Sequence, residues 1–210
     1  AYEVLRSLVG SEMCIRDRLA ATCAVVTTEF ENAPAEAMAQ LAARIPVRPS
    51  PAALATTQDR IAEKQFLDDI GVAVAPYVVI VTDADLADAA GFSFPAILKT
   101  ARLGYDGKGQ IRCAYATDLA AAWDELGRVP CVLEQRLPLD RELSLVLART
   151  ADGRVACYPV SQNQHVHGIL DVSYTPANLP GTAPADAAEL CTYPSLIHIS
   201  EPTRLPRISY

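Results

Sequence analysis

The sequence predicts an α+β fold, because extended apolar segments alternate with helix-forming segments along most of its 210 residues. Strand-like runs over Tyr77–Val81 and Pro95–Lys99 flank a helical run over Asp83–Ala90. The dipeptide Asp152-Gly153 lies between two further β-rich runs and is typical of a hairpin turn. At least part of the later sheet is therefore expected to be antiparallel.

The elements before this region are short. Cys23–Thr28 is apolar and β-branched, which predicts a buried strand, and Asn32 is the candidate N-cap of a helix over Ala35–Ala43. Ile45–Pro49 contains two prolines and predicts an edge strand or a linker. We therefore place a domain boundary near residue 48.

The remaining elements follow from caps and alternation. Ser50-Pro51 begins a short helix, and a second helix runs from Thr57 or Gln58 to Ile70 before the stop signal Gly71. A helix capped by Thr117 or Asp118 ends at Gly127. Further strands are predicted over Ile111–Tyr115, Cys131–Glu134, Glu142–Ala148, Val155–Tyr158 and Ile169–Tyr174.

Composition and charge limit the class of protein. Hydrophobic residues make up 50% of the chain and charged residues 20%, which is typical of a folded protein and not of a disordered one. The formal net charge of −7 argues against a nucleic-acid partner held through its phosphates. No run approaches the roughly 20 apolar residues of a membrane span, and no leader pattern opens the chain. We expect a cytoplasmic protein with no membrane partner.

The two ends of the chain differ from its middle. Leu8–Asp17 and Ser195–Arg204 show neither helical nor strand periodicity. One DNA strand encodes the first of these segments, and its reverse complement in a shifted frame encodes most of the second. We therefore expect residues 1–18 and 191–210 to be translated sequencing adapter, and the middle to be a piece of a longer protein.

A glycine-rich segment carries the clearest chemical signal. The predicted strand ends at Lys99, and Gly104, Gly107 and Gly109 follow before the next strand. Glycines let backbone N–H groups approach an anion, and a lysine adds positive charge, so this pattern is typical of a phosphate-binding loop. The segment lacks the ending of a Walker A loop. From these residues alone, a glycine-rich hairpin with solvated lysines is an equal alternative.

Two carboxylates lie at the ends of predicted strands. Glu134 ends one strand and Glu142 opens the next, with apolar residues along both. Carboxylates beside an apolar wall suit the hydroxyls of a ribose and the edge of a base. This pattern is compatible with a nucleotide site but does not prove one.

Five motifs, in this order, resemble N5-carboxyaminoimidazole ribonucleotide synthetases, which are ATP-grasp enzymes of purine biosynthesis. The motifs are Thr28–Asn32, Gln58-Asp59-Arg60, Glu63-Lys64-x-Phe66-Leu67, Ile97–Gln110 and Asn163-Gln164-His165-x-x-Gly168-Ile169-Leu170-Asp171. The resemblance implies a partial ATP-grasp fold over residues 49–190, preceded by the end of an α/β pre-ATP-grasp domain over residues 19–48.

The resemblance also implies an ATP site with a defined set of residues. Arg60 and Lys99 are expected at the phosphates, and Gly104–Gln110 is expected to fold over them as a lid. Glu134–Leu137 is expected to offer backbone groups to the base, Glu142 to bind the ribose and His165 to line the site. The full set is Arg60, Lys99, Gly104, Tyr105, Asp106, Gly107, Lys108, Gly109, Gln110, Glu134, Gln135, Arg136, Leu137, Glu142 and His165.

The implied reaction is the ATP-dependent carboxylation of 5-aminoimidazole ribonucleotide with bicarbonate, giving N5-carboxyaminoimidazole ribonucleotide, ADP and phosphate. Tyr105, Asp106 and Lys108 match catalytic positions of the lid, with Asp106 as the candidate proton relay at the amine. Glu29 or Glu31 is expected to reach the substrate, and the sequence does not choose between them.

The resemblance implies Mg²⁺ as well as ATP, with the metal ligands expected beyond Glu189, so no metal ligand is assigned in this chain. His165-x-His167 has no neighbouring ligand set, and pocket lining at His165 with exposure at His167 is favoured over a metal pair. The chain by itself is expected to have little or no turnover, and the intact enzyme is expected to be a homodimer. Alternatives are another ATP-grasp ligase, such as a formate-using transformylase or a biotin carboxylase, or a non-catalytic nucleotide-binding remnant.

Overall fold

The computed structural model describes residues 12–28, 32–104, 108–150, 152–166 and 169–178. The chain divides into two compact units, residues 1–59 and residues 60–210. An α+β fold is confirmed, since each unit combines helices with strands. Among the described residues, no helix is both long and apolar enough to cross a bilayer.

The first unit contains three helices and a pair of short parallel strands. In chain order these are α1 (Glu12–Thr22), β1 (Val26–Thr27), α2 (Ala35–Ala42), β2 (Val47–Arg48) and α3 (Pro51–Thr57). Val26 of β1 lies opposite Val47 of β2. Both valines are buried with Met38, Leu41 and Leu54, so the two strands and the last two helices share one apolar core.

Helix α3 belongs to the first unit because Leu54 is part of that core. The side chain of Ser50 accepts a hydrogen bond of 3.1 Å from the Ala53 N–H, and Pro51 occupies the first turn. This confirms that Ser50-Pro51 begins a short helix. The domain boundary predicted near residue 48 lies inside this compact unit, and the division into domains stays a prediction.

Part of Leu8–Asp17 lies in a helix although it shows no helical periodicity: α1 begins at Glu12, and its later residues Leu19 and Ala20 pack against the core. Two sequence-based expectations are wrong in this unit. The N-cap of α2 is Pro34 and not Asn32, since the fixed φ of proline sets the start of the helix. The strand predicted over Cys23–Thr28 is reduced to Val26–Thr27, because only these residues pair with β2.

The second unit begins with a four-stranded antiparallel sheet and its helices. The elements are α4 (Arg60–Asp69), β3 (Tyr77–Ile80), α5 (Asp83–Ala89), β4 (Ala96–Thr100), β5 (Gln110–Cys113), α6 (Leu119–Glu125) and β6 (Cys131–Gln135), with a 3₁₀ turn over Ala116–Asp118. The strand order is β3-β6-β4-β5. Strand β6, the last of the four in sequence, lies in the interior of the sheet because it pairs with both β3 and β4.

Alternation along the strands gives this sheet two different faces. Leu98 of β4 and Leu133 of β6 point to a core formed with α5 and α6, in which Trp123 is 2% exposed. The indole N–H of Trp123 donates a 2.8 Å hydrogen bond to the Val129 carbonyl, so its polar atom is satisfied. Lys99 and Glu134 follow Leu98 and Leu133 by one residue and therefore point to the opposite face.

The later strands form two smaller antiparallel sheets. They are β7 (Glu142–Ser144), β8 (Leu147–Arg149), β9 (Val155–Cys157), β10 (Ser161–Val166) and β11 (Ile169–Tyr174). One sheet has the order β11-β10-β7, and β8 pairs with β9. Gly153, with φ of +89°, lies between β8 and β9, which confirms the predicted hairpin.

One prediction for this region is wrong, and one strand was not predicted. Glu142–Ala148 is not one strand, because Glu142–Ser144 pairs with β10 whereas Leu147–Arg149 pairs with β9. Strand β10 was not predicted, because its sequence Ser-Gln-Asn-Gln-His-Val is polar and lacks apolar alternation.

Candidate active site

Three charged side chains meet on the face of the four-stranded sheet that lies opposite the Trp123 core. Glu134 lies near the end of β6, and its carboxylate accepts a 2.6 Å hydrogen bond from Lys99 Nζ on the neighbouring strand β4. Lys64 Nζ, from helix α4, lies 3.2 Å from the other carboxylate oxygen. The three side chains are only 13–15% exposed. We call Lys64, Lys99 and Glu134 the charge cluster.

Strand register explains how Lys99 reaches Glu134. In the antiparallel pair, Ile97 lies opposite Glu134, and Lys99 is two residues further along β4 on the same face. Diagonal neighbours of this kind are within reach of a long side chain. Lys99 and Glu134, which the sequence analysis assigned to different parts of one ATP site, therefore contact each other, a pairing that the sequence did not predict.

Lys64 was part of a motif but was missed as a site residue. It lies four residues after Arg60 on α4, which places the two on the same helix face. Its ammonium also lies 5.3 Å from the centre of the Tyr77 ring, within the range of a cation–π contact. The four-residue spacing of Arg60 and Lys64 was the sequence signal that could have identified Lys64 as a site residue. It did not show which strand the two side chains would face.

The charge cluster sets the ionisation of Glu134. Burial by itself raises the pKa of this carboxyl, but the positive charges and hydrogen bonds of Lys99 and Lys64 outweigh burial and lower the pKa below its ordinary value. Burial together with the hydrogen bond to Asp68 raises the pKa of the neighbouring Tyr77 to about 12. At neutral pH Glu134 is therefore an ionised carboxylate beside Lys64 and Lys99, and the Tyr77 phenol is neutral.

Arg60 holds the start of the glycine-rich segment. Its backbone N–H donates to the Ala101 carbonyl at 2.8 Å, and its guanidinium donates to the carbonyls of Thr100 at 2.9 Å and Gly104 at 3.4 Å. The Thr100 N–H donates to the Gly109 carbonyl at 2.8 Å, which closes the base of the segment. Arg60 thus contacts the loop that the sequence predicted to bind phosphate.

Two glycines lie in close contact at this base. Gly109 has φ of +70°, and a Cβ there would lie 2.7 Å from Oγ1 of Thr100, so a side chain would be strained and would collide with Thr100. A Cβ on Gly104 would lie 2.9 Å from Nη1 of Arg60 and 3.2 Å from the Lys108 carbonyl oxygen, so the guanidinium of Arg60 would have to shift.

A second group of predicted residues lies on the sheet β11-β10-β7. Nδ1 of the His165 imidazole lies in close contact with the Glu142 carboxylate. Asn163, which is 8% exposed, accepts hydrogen bonds from Ser144 at 3.3 Å and from Ser173 at 2.8 Å. The Asn-x-His motif therefore supplies one buried structural amide and one partner for the acid predicted to bind ribose.

Part of the backbone of Glu134–Leu137 is already hydrogen-bonded within the fold. The N–H groups of Gln135 and Arg136 donate to the carbonyls of Pro76 and Pro95, each at 2.9 Å, and the Leu137 carbonyl accepts from Leu139. Any backbone group that Glu134–Leu137 offers to a base would therefore be one other than these two N–H groups and this carbonyl. Gln110 lies opposite Lys99 in the ladder of β5 and β4.

Several predicted site residues lie outside the described part of the chain. These are Glu29, Glu31, Tyr105, Asp106 and Gly107. Lys108 is described and is exposed. Among the described residues, no group of three or more His, Cys, Asp or Glu could hold a metal ion.

The class of protein is shown by comparison with known families: the chain belongs to the ATP-grasp family. The model of the ATP-grasp domain matches residues 65–194. The model of the ribonucleotide synthetase preATP-grasp domain matches residues 11–58. The family inferred from the five motifs is confirmed.

Individual relatives narrow the likeness to N5-carboxyaminoimidazole ribonucleotide synthases. The Pseudomonas aeruginosa enzyme of that name is 40% identical over 185 residues, covering 88% of this chain and 51% of the relative. The synthetase structure from Thermus thermophilus is 35% identical with a TM-score of 0.80, covering 89% of this chain and 50% of that one. The synthase from Aspergillus clavatus in complex with ADP and 5-aminoimidazole ribonucleotide is 26% identical with a TM-score of 0.74, covering 86% and 47%. This chain thus spans about half the length of these relatives.

The glycine geometry predicts a difference between two alanine substitutions. Gly109→Ala and Gly127→Ala both force alanine into positive φ, which costs about 1–2 kcal/mol, but Gly127 has open space where a Cβ would lie. Gly109→Ala should therefore lower the free energy of unfolding by more than Gly127→Ala, measured by urea denaturation. Adding Thr100→Ala should recover part of the loss at Gly109. Equal losses at the two glycines would contradict the close contact.

The charge cluster predicts a pH-dependent contribution to stability. Because the folded-state pKa of Glu134 is depressed, its ion pairs stabilise the protein above the ordinary carboxyl value of 4.5 and are lost as pH falls through the folded pKa. Glu134→Gln should lower the free energy of unfolding at pH 7, and its difference from wild type should narrow below pH 4.5. Urea denaturation across this range measures the difference, with exposed Glu125→Gln as the control. A difference in the free energy of unfolding that stays constant with pH would contradict the stabilising ion pairs of Glu134.

Proposed function

We propose that this chain is part of a carbon–nitrogen ligase that carboxylates 5-aminoimidazole ribonucleotide with bicarbonate at the expense of ATP, in purine biosynthesis. The products are N5-carboxyaminoimidazole ribonucleotide, ADP and phosphate. The observation that carries this proposal is the charge cluster beside the base of the glycine-rich segment, in a chain of the ATP-grasp family. The ligands named for the Aspergillus clavatus synthase support the choice of substrate.

The described residues suit the phosphates and ribose of ATP. The charge cluster has a net charge of +1, since two ammonium groups face one carboxylate, and it would attract a polyphosphate. Lys99 and Arg60 would bind phosphate oxygens, and Glu142 with His165 would contact the ribose side. The segment Glu134–Leu137 would lie along the base.

The chemistry proceeds through transfer of the γ-phosphoryl group. A bicarbonate oxygen attacks the γ-phosphorus, the bond to ADP breaks, and carboxyphosphate forms. Carboxyphosphate releases carbon dioxide and phosphate, and the amine of the ribonucleotide attacks the carbon and loses a proton. We assign Tyr105, Asp106 and Lys108 to this step, with Asp106 taking the proton, and Glu29 or Glu31 to the substrate.

Mg²⁺ is proposed for the complete protein, but the described residues form no site that fits it, so no step is assigned to a metal here. The complete protein is further proposed to be a cytoplasmic homodimer. Since the chain spans about half the length of its relatives, we propose that the chain alone has little or no turnover.

Replacing Lys99 tests the phosphate role directly. Lys99→Ala should weaken ATP binding by at least tenfold, or about 1.4 kcal/mol, because it removes a cation from the charge cluster. Isothermal titration calorimetry on the chain measures the change. Arg154→Met removes a charge of the same sign from an exposed position and should leave the affinity unchanged. Unchanged ATP affinity in Lys99→Ala would show that the phosphate role is wrong.

The substrate is tested by the dependence of ADP formation on each co-substrate. The complete protein, obtained by extending the reading frame at its source locus, should form ADP only with 5-aminoimidazole ribonucleotide and bicarbonate. Formate with glycinamide ribonucleotide, and bicarbonate with biotin, are the comparison pairs. ADP formation with either comparison pair would assign the chain to another ATP-grasp ligase. Carboxylation by the 210-residue chain alone would contradict only the proposal of little or no turnover.

A further inference from the structure

Lys64 is the member of the charge cluster to which neither the sequence motifs nor the proposed reaction gives a role. Its ammonium lies 3.2 Å from one carboxylate oxygen of Glu134, while Lys99 Nζ lies 2.6 Å from the other. Lys64 and Glu134 are each 13% exposed. A lysine held this far from solvent costs desolvation free energy, which its contacts must offset.

The position of Lys64 is fixed from two sides. Glu134 lies on one side, and the ring of Tyr77 lies 5.3 Å from the ammonium. The Tyr77 hydroxyl donates a 2.7 Å hydrogen bond to Asp68, which lies four residues after Lys64 on α4. The helix therefore holds both the lysine and the aromatic ring that the lysine faces, so Lys64 is placed before any ligand arrives.

A phosphate and Glu134 would compete for the ammonium of Lys99, and Lys64 can offset the loss at Glu134. If Lys99 binds a phosphate, the phosphate competes with Glu134 for the same ammonium. A buried carboxylate that loses its cation is strongly disfavoured, so phosphate binding would be penalised if Glu134 had Lys99 as its sole partner in the cluster. With Lys64 on its other oxygen, Glu134 remains neutralised while Lys99 turns to the phosphate.

We propose that Lys64 is a positioning residue of the nucleotide site, which keeps Glu134 neutralised and leaves the positive charge of Lys99 available to a polyphosphate. The inference rests on the proposed function, since it concerns the same nucleotide site. It assigns Lys64 an action through Glu134 and not a contact with the nucleotide. Removing Lys64 would change the net charge of the cluster from +1 to zero.

The test compares ligands with and without phosphate. Isothermal titration calorimetry on the 210-residue chain measures ATP, inorganic tripolyphosphate and adenosine with wild type, Lys64→Met, Lys64→Arg and Arg154→Met. We expect Lys64→Met to weaken ATP and tripolyphosphate by about tenfold and to leave adenosine unchanged. Lys64→Arg should restore most of the affinity, and Arg154→Met should match wild type because its exposed charge lies on the β8–β9 hairpin.

A double-mutant cycle separates action through Glu134 from direct phosphate contact. In a Glu134→Gln background, Lys64 has no carboxylate to neutralise, so Lys64→Met should have a much smaller effect on tripolyphosphate affinity. An undiminished effect in that background would show that Lys64 acts on the phosphate independently of Glu134, by contact or through its charge, which overturns the inference. Circular dichroism of each variant checks that it folds.

The remaining outcomes are also decisive. Wild-type affinity in Lys64→Met, or an equal loss for adenosine and ATP, rejects the positioning role and leaves the proposed function intact. Failure of Lys64→Arg to restore binding in a folded variant rejects a role based on charge. If wild type binds neither ATP nor tripolyphosphate, the nucleotide site itself fails in this chain, and the role of Lys64 fails with it.

Discussion

The largely buried carboxylate of Glu134 is the constraint on which the charge cluster of the second unit depends. Strand alternation turns Glu134 away from the core around Trp123, and a carboxylate so little exposed requires cations beside it. Strand β4 supplies Lys99 and helix α4 supplies Lys64. Buried ion pairs are a weak source of stability, because desolvation offsets most of the attraction. A cluster of three such charges is therefore better explained by binding than by folding.

Helix α4 connects this cluster to the glycine-rich segment. Arg60 in its first turn donates to the carbonyls of Thr100 and Gly104, and Lys64 one turn later contacts Glu134. Residues four apart lie on one helix face, so a single helix positions both the loop base and the charged groups next to it. The glycines at 104 and 109 permit this close approach, because a Cβ at either would collide with Arg60 or Thr100.

Sequence reasoning predicted most of this unit and missed what depends on tertiary pairing. In β4 and β6 an apolar run is followed by a charged residue, and Asp152-Gly153 marks a hairpin, so local pattern was sufficient there. The break after Ser144 could not be predicted because residues 143–147 are nearly all apolar and contain no turn signal, and only the two partner strands separate β7 from β8. Lys64 was missed as a site residue for a related reason: helix periodicity gives its face but not the carboxylate opposite.

The contacts of Arg60 are compatible with its predicted role at a phosphate. A guanidinium carries five N–H donors, so two hydrogen bonds to loop carbonyls do not exhaust it. Lysine offers one compact charge, which a phosphate bound at Lys99 would share with Glu134, 2.6 Å away. On the proposed function, Arg60 would keep its contacts with the neutral loop carbonyls, whereas Lys99 would divide its charge between a carboxylate and a phosphate. On that proposal a second cation is useful at Glu134, and none is called for beside Arg60.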